Sequence, residues 1–175
     1  MAGAARRGDA GARLALPAMS AGGRGSQQWV VVYDADCGLC TWLLAGLLRW
    51  DRALRLRPLA LQRAEAEHLL ADLSPDQRMA SWHLISPAGT RSSGGAALAP
   101  LLRLLPGGLA PAGALARLPR LADRGYRWVA DHRSQLSKGI PAGVKHRATG
   151  RVLRREALAD RPSADAEPAR ARGVD

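Results

Sequence analysis

The 175-residue chain has no phenylalanine, two cysteines, two tyrosines, and only two lysines (Lys138 and Lys145) among its 26 basic residues. Each shortage excludes something. Two cysteines in one short motif cannot staple a secreted scaffold of several bridges. Without phenylalanine the core must be aliphatic, with some of the five tryptophans as anchors. No continuous apolar run approaches the ~18 residues of a membrane-spanning helix, so no span is expected. Leu14 to Met19 is shorter than the ~7–15-residue apolar stretch of a secretory signal and contains Pro17, so none is expected there either. The cytoplasm is the expected compartment.

The formal charge is +11 and the isoelectric point near 11.3. A surplus of this size permits attraction to nucleic acid or an anionic membrane. The arginines are scattered, however, and neither stacking aromatics nor a nucleic-acid motif accompanies them, so no specific nucleic-acid partner is expected. A zinc site needs four ligands at short paired spacings. No two of His68, His83, His132 and His146 stand three to five residues apart, so no metal is assigned.

Residues 1–28 are rich in Gly, Ala and Arg without apolar periodicity and read as a disordered arm. The domain expected over residues 29–138 opens with Trp29-Val-Val-Val-Tyr33, a β-branched run typical of a strand buried on both faces. A helix follows from about Gly38 to Arg52, with Leu43, Leu44, Leu47 and Leu48 at helical spacing. A strand is predicted at Leu54–Pro58, closed by the proline, then a helix from Gln62 to about Leu73 and a turn at Ser74 to Asp76. Ser81–Ile85 and Thr90–Ser92 form a predicted hairpin across Ser86-Pro-Ala-Gly89. A helix from Gly94 to Leu105, a break at Pro106 to Pro111 and an amphipathic helix from about Leu118 to Leu136 complete the pattern. Residues 139–175 mix charge with Ala, Pro and Gly and read as a basic tail of weak helix or disorder. The order predicts an α/β fold: a central mixed four-stranded sheet flanked by helices, thioredoxin-like, with an additional C-terminal helix.

Chemistry concentrates at Asp34-Ala-Asp-Cys-Gly-Leu-Cys40, where the first strand meets the first helix. Residues i and i+3 are neighbours on a helical turn, so two sulfurs there can reach disulfide distance. Free N–H groups and the positive helix end stabilise a thiolate on the first of them. Cys37 is thus the candidate nucleophile and Cys40 the resolving thiol. Gly38 is expected to leave the approach to Cys37 open. Asp34 is a candidate proton acceptor for the resolving thiol; alternatively, Asp34 or Asp36 caps the helix. Either carboxylate disfavours the Cys37 thiolate by like-charge repulsion. Two structural cysteines without chemistry, or a degenerate redox domain, are the competing readings.

Val32-Tyr-Asp-Ala-Asp-Cys-Gly-Leu-Cys40 resembles the signature of the DCC thiol-disulfide oxidoreductase family, named for its Asp-x-x-Cys-x-x-Cys motif. Trp50-Asp51, Leu56-Arg-Pro-Leu-Ala-Leu-Gln62, Ser93-Gly-Gly-Ala-Ala97 and Tyr126-Arg-Trp-Val-Ala-Asp-His-Arg133 are similar to the family pattern in the same order. The resemblance implies a thioredoxin-like fold and disulfide exchange, with Asp34, Cys37 and Cys40 at the defining positions. There are two departures. Ala35 stands where the family commonly has glycine, and Met79-Ala-Ser81 stands where thioredoxin-like enzymes usually carry a cis-proline.

The expected function is therefore disulfide reduction on a disulfide-containing protein or small-molecule disulfide. The exchange step needs no cofactor, and an unidentified reductant regenerates the dithiol. The alternative is a basic adaptor or redox sensor whose cysteine pair is regulatory or structural. Tyr126 and Arg133, two helical turns apart, are expected mainly to pack and dock their helix, His83 to be a satisfied or surface histidine, and Trp42 to pack away from the dithiol.

Overall fold

The computed structural model describes residues 27–160. The arm expected over residues 1–28 falls outside the described residues up to position 26, as does the tail from position 161. β1 (Trp29–Tyr33) forms where its β-branched run predicts, and it is a central strand. β2 (Leu56–Ala60) lies parallel to it on one side; β3 (His83–Ile85) lies antiparallel on the other, followed outward by β4 (Arg91–Ser93). This is the mixed sheet of order β2-β1-β3-β4 expected for a thioredoxin-like domain.

Alternation along β1 divides the core in two. Val31 and Tyr33 join Leu44, Leu48, Leu56, Leu84, Leu101 and Val152, while Val32 joins Leu59, Ala66, Leu70 and Ile85. Both sets are aliphatic apart from Tyr33. Only Trp29 and Trp82 among the tryptophans pack against them; Trp42, Trp50 and Trp128 are largely exposed.

β2 begins two residues later than predicted and runs through Pro58 instead of ending there. A proline is tolerated on an edge strand because it has no outward donor to satisfy. Its neighbours do have one. The Leu56 N–H donates to Asp51 Oδ2 at 2.9 Å, and the Ala60 N–H to Glu156 Oε1 at 3.1 Å. The outer edge of β2 is thus closed by two carboxylates flanking a proline, leaving no open row of donors for another chain to pair with.

α1 (Gly38–Trp50) follows β1. Where one helix was predicted over Gln62 to Leu73, α2 (Ala64–Leu69) is shorter, and the expected turn is the start of α3 (Pro75–Ala80). Ser74 caps α3 in a reciprocal box with Gln77, and Pro75 opens it. The helix expected from Gly94 begins as a 3-10 turn (Gly94–Ala97) before α4 (Leu98–Arg103), and the stretch read as a break passes into α5 (Leu109–Arg117). The helix expected from Leu118 to Leu136 is two, α6 (Pro119–Asp131) and α7 (Arg133–Lys138), meeting at His132.

The largest departure lies beyond Gly139. Instead of weak helix or disorder, residues there form α8 (Ala142–Ala159), an 18-residue helix packed along α1 and against β2. Its apolar contribution is narrow, Ala148 and Val152, and its other buried residues are Arg155 and Glu156. Arg155 Nη2 donates to the Asp51 carboxylate at 3.0 Å and to the Asp51 carbonyl at 2.9 Å. Glu156 accepts from the Ala60 N–H and from the Tyr33 hydroxyl. Two charged residues of the stretch expected to be a weakly helical or disordered tail are therefore the anchors of the helix.

Candidate active site

The chain leaves β1 through a tight turn, in which the Cys37 N–H donates to the Asp34 carbonyl at 3.3 Å. Asp34 Oδ1 accepts from the Asp36 N–H at 3.0 Å and from Gln62 Nε2 at 2.9 Å. Gln62 also donates to Asp36 Oδ2 at 3.2 Å and accepts from the Ala35 N–H at 3.3 Å. One amide at the end of β2 thus holds both carboxylates and the backbone between them. Gln62 appears in the sequence only as part of a similar segment, and nothing in the spacing marks this role. Ala35 is in an ordinary backbone conformation: Leu54 is the one non-glycine residue at positive φ among the described residues.

Neither aspartate caps α1. The N-cap is Cys37, whose sulfur accepts from the Cys40 N–H at 3.3 Å. Both thiols are free. The Cys37 thiol is pulled down to about 6, first by a hydrogen bond from the Cys40 side chain, against the opposing effect of burial. The Cys40 N–H and the Arg133 cation lower it further, whereas the Asp34 charge raises it. Cys40 is pushed the other way, by its hydrogen bond to Cys37, by burial, and by the charges of Cys37 and Asp34. Asp36, flagged by the sequence as a neighbour of the nucleophile, turns instead to Gln62. The pair is accordingly split, with one sulfur a thiolate at neutral pH and its partner a retained thiol that donates to it.

Gly38 does not leave an open approach. A Cβ there would lie 3.0 Å from Ser137 Oγ and 3.2 Å from Lys145 Cδ, so the absent side chain makes room for α7 and α8 to pass over the dithiol turn. On the Cys40 side of the pair lies a small, mostly apolar cavity of about 40 Å³. Cys40, Leu39, Leu43 and Asp34 line it from the dithiol side, and residues 78–82 with Tyr126, Val129 and Arg133 from the other.

Residues 79–82, at the position where thioredoxin-like enzymes usually carry a cis-proline, are held from α6 and α7. The Trp82 N–H donates to the Tyr126 hydroxyl at 2.9 Å, and Arg133 Nη1 donates to the Met79 carbonyl at 3.1 Å. Tyr126 and Arg133 therefore do dock their helices, as expected, and they also face the cavity on which Cys40 opens. α6 comes this close because Gly95 has no side chain: a Cβ there would meet Asp123 Cα at 2.5 Å. Burial pushes the Tyr126 phenol up to about 12, so it is neutral at physiological pH.

His83 is buried between Ser93 Oγ at 2.8 Å and the Arg78 carbonyl at 3.1 Å, and burial holds it below the usual histidine range. The carbonyl can only accept, so Nε2 carries the proton and Nδ1 accepts from Ser93. It is a satisfied structural histidine. Trp42 lies away from the dithiol in a groove between α1 and α8. Among the described residues no group of three or more His, Cys, Asp or Glu is arranged to hold a metal ion, and no helix is long and apolar enough to cross a membrane.

In comparison with known families, the model of the DCC1-like thiol-disulfide oxidoreductases fits residues 31–138. The matched stretch runs from β1 to the end of α7 and includes the dithiol, Gln62, the 79–82 segment, Tyr126 and Arg133. No curated protein and no solved structure matches the chain.

Proposed function

This chain belongs to the DCC1-like thiol-disulfide oxidoreductase family, and from that premise we propose that it reduces disulfides, with Cys37 as nucleophile, Cys40 as resolving thiol and Asp34 as proton acceptor. The observation that carries the reading is the split between the two sulfurs, with Cys37 as the helix cap and its thiol at about 6.

The reaction begins when the Cys37 thiolate attacks one sulfur of the substrate disulfide. A Cys37–substrate mixed disulfide forms and the other substrate sulfur leaves as a thiolate. Cys40 then loses its proton and attacks Cys37 Sγ, releasing the second substrate thiolate and closing the Cys37–Cys40 bond. Two electrons pass from the dithiol to the substrate. A cellular dithiol reductant returns them, and the proposed setting is the reducing cytoplasm. Asp34 lines the same cavity as Cys40 and raises its affinity for a proton, which suits an acceptor that works only once Cys37 is no longer charged. The substrate is a protein or small-molecule disulfide.

The test joins a redox titration of the pair to alkylation of each cysteine against pH. Cys37 is expected to alkylate with an inflection near 6, to be blocked on oxidation, and to react well before Cys40. An inflection at the ordinary thiol value of about 8.5, or a pair that never closes, would overturn the proposal.

A further inference from the structure

The dithiol motif accounts for the two sulfurs, but not for the wall that faces Cys40. Residues 79–82 form that wall without a proline to stiffen it, and two of their backbone groups are engaged from outside. The Met79 carbonyl accepts from Arg133, and the Trp82 N–H donates to Tyr126. Both side chains border the cavity shared with Cys40. Among the described residues no carboxylate pairs with Arg133, so its guanidinium is left as an uncancelled cation beside the sulfurs.

Resting on the proposed disulfide chemistry, we propose that Tyr126 and Arg133 are positioning residues of the reaction, clamping residues 79–82 opposite Cys40 while Arg133 holds a positive charge beside the sulfurs. The dithiol turn is then half of the site, and the helical pair α6–α7 is the other half. The clamp also bears on what is recognised. The Trp82 N–H is spent inside the protein and the Met79 carbonyl already accepts from Arg133, so an incoming chain finds no free backbone donor at Trp82. Substrates are met by the side chains lining the cavity instead.

The charge balance around Cys37 is drawn from several elements. Asp34 acts on it from the turn and Cys40 from α1, while Asp36 is turned to Gln62. Tyr126 faces it from α6, Arg133 from α7, and Lys145 overlies Gly38 from α8. Tyr126 is neutral, and Asp34 opposes the thiolate. Removing the Arg133 charge therefore moves the Cys37 inflection upward, leaving less thiolate at pH 6.

The experiment compares the full-length wild type with Arg133→Gln, Arg133→Lys and Tyr126→Phe, each confirmed folded by circular dichroism. The readouts are iodoacetamide alkylation of Cys37 between pH 4 and 9, and steady-state reduction of a peptide disulfide. Arg133→Gln is expected to raise the inflection and slow alkylation at pH 6 by roughly threefold, with Arg133→Lys restoring the wild-type profile. Tyr126→Phe is expected to keep the profile but raise KM by about fivefold, with kcat within about twofold. Overlapping profiles for Gln and wild type, or equal displacement by Gln and Lys, would overturn the electrostatic role of Arg133. An unchanged KM for Tyr126→Phe would overturn the clamp. A wild type that reduces no disulfide would refute the proposed function alone, because the alkylation profiles still decide Arg133.

Discussion

The two ends of α1 treat polar groups in opposite ways. At the C-terminal end, Asp51 is fully enclosed and every contact it makes is matched: the Arg55 and Leu56 N–H groups donate to it, and Arg155 provides the counter-charge. At the N-terminal end, the cap is a sulfur, Cys40 is held as a thiol against it, and one turn further in the Thr41 hydroxyl is buried without a partner. The closed end orders the fold. The open end stores the reactivity, because a poorly satisfied group keeps a use for the next donor or electrophile that arrives. One helix separates the two demands by its own length.

Five substitutions break or sharpen that contrast, beginning with the largest effect. Cys37→Ala removes the proposed nucleophile, so disulfide turnover should fall to background while urea unfolding moves by no more than about 1 kcal/mol, the worth of a cap. Asp51→Ala should do the reverse. It strands the Arg155 charge and the Arg55 and Leu56 N–H donors, costing about 3–5 kcal/mol in urea denaturation, while Cys37 alkylation in the folded fraction keeps its inflection. Glu156→Ala should cost about 1–3 kcal/mol, because it unpairs the Ala60 N–H and the Tyr33 hydroxyl. Glu156→Gln is the companion measurement: its amide oxygen still accepts from both, and it escapes the burial that pushes the carboxyl upward, so it should equal or exceed the wild type. The smallest change is Thr41→Val. Replacing an unpartnered hydroxyl with a methyl should stabilise the fold by about 1 kcal/mol, and a loss of that size would show that the hydroxyl is in use.

The same contrast explains what could be read without coordinates. β1, the start of α1 and the dithiol are local features: a β-branched run, a helical apolar stripe and an i, i+3 cysteine pair carry their own signals. α8 carried none. Its apolar face is a Val and an Ala, and Arg155 and Glu156 resemble any solvated pair until Asp51, 104 residues from Arg155, is placed beside them. Pro58 misled for a related reason, since a proline ends a strand by default and is tolerated only where the missing donor would have pointed outward from an edge. Gln62, Tyr126 and Arg133 act on backbone atoms of the turn and of residues 79–82, and backbone partners leave no trace in side-chain spacing. Fold class and the cysteine pair were therefore legible, whereas the wall opposite Cys40 and the closure of the sheet were not.

That closure has a consequence for how the protein is made. The bonds that seal the edge of β2 and the rim of β1 span 96, 104 and 123 residues. During synthesis from the N-terminus, Cys37 and Cys40 leave the ribosome long before Arg155 and Glu156 exist. For that interval, several seconds at about 5–20 residues per second, the nascent chain displays both thiols on a sheet whose edge is still open. The edge of β2 is therefore the last part of the sheet to be sealed, and its sealing waits on α8.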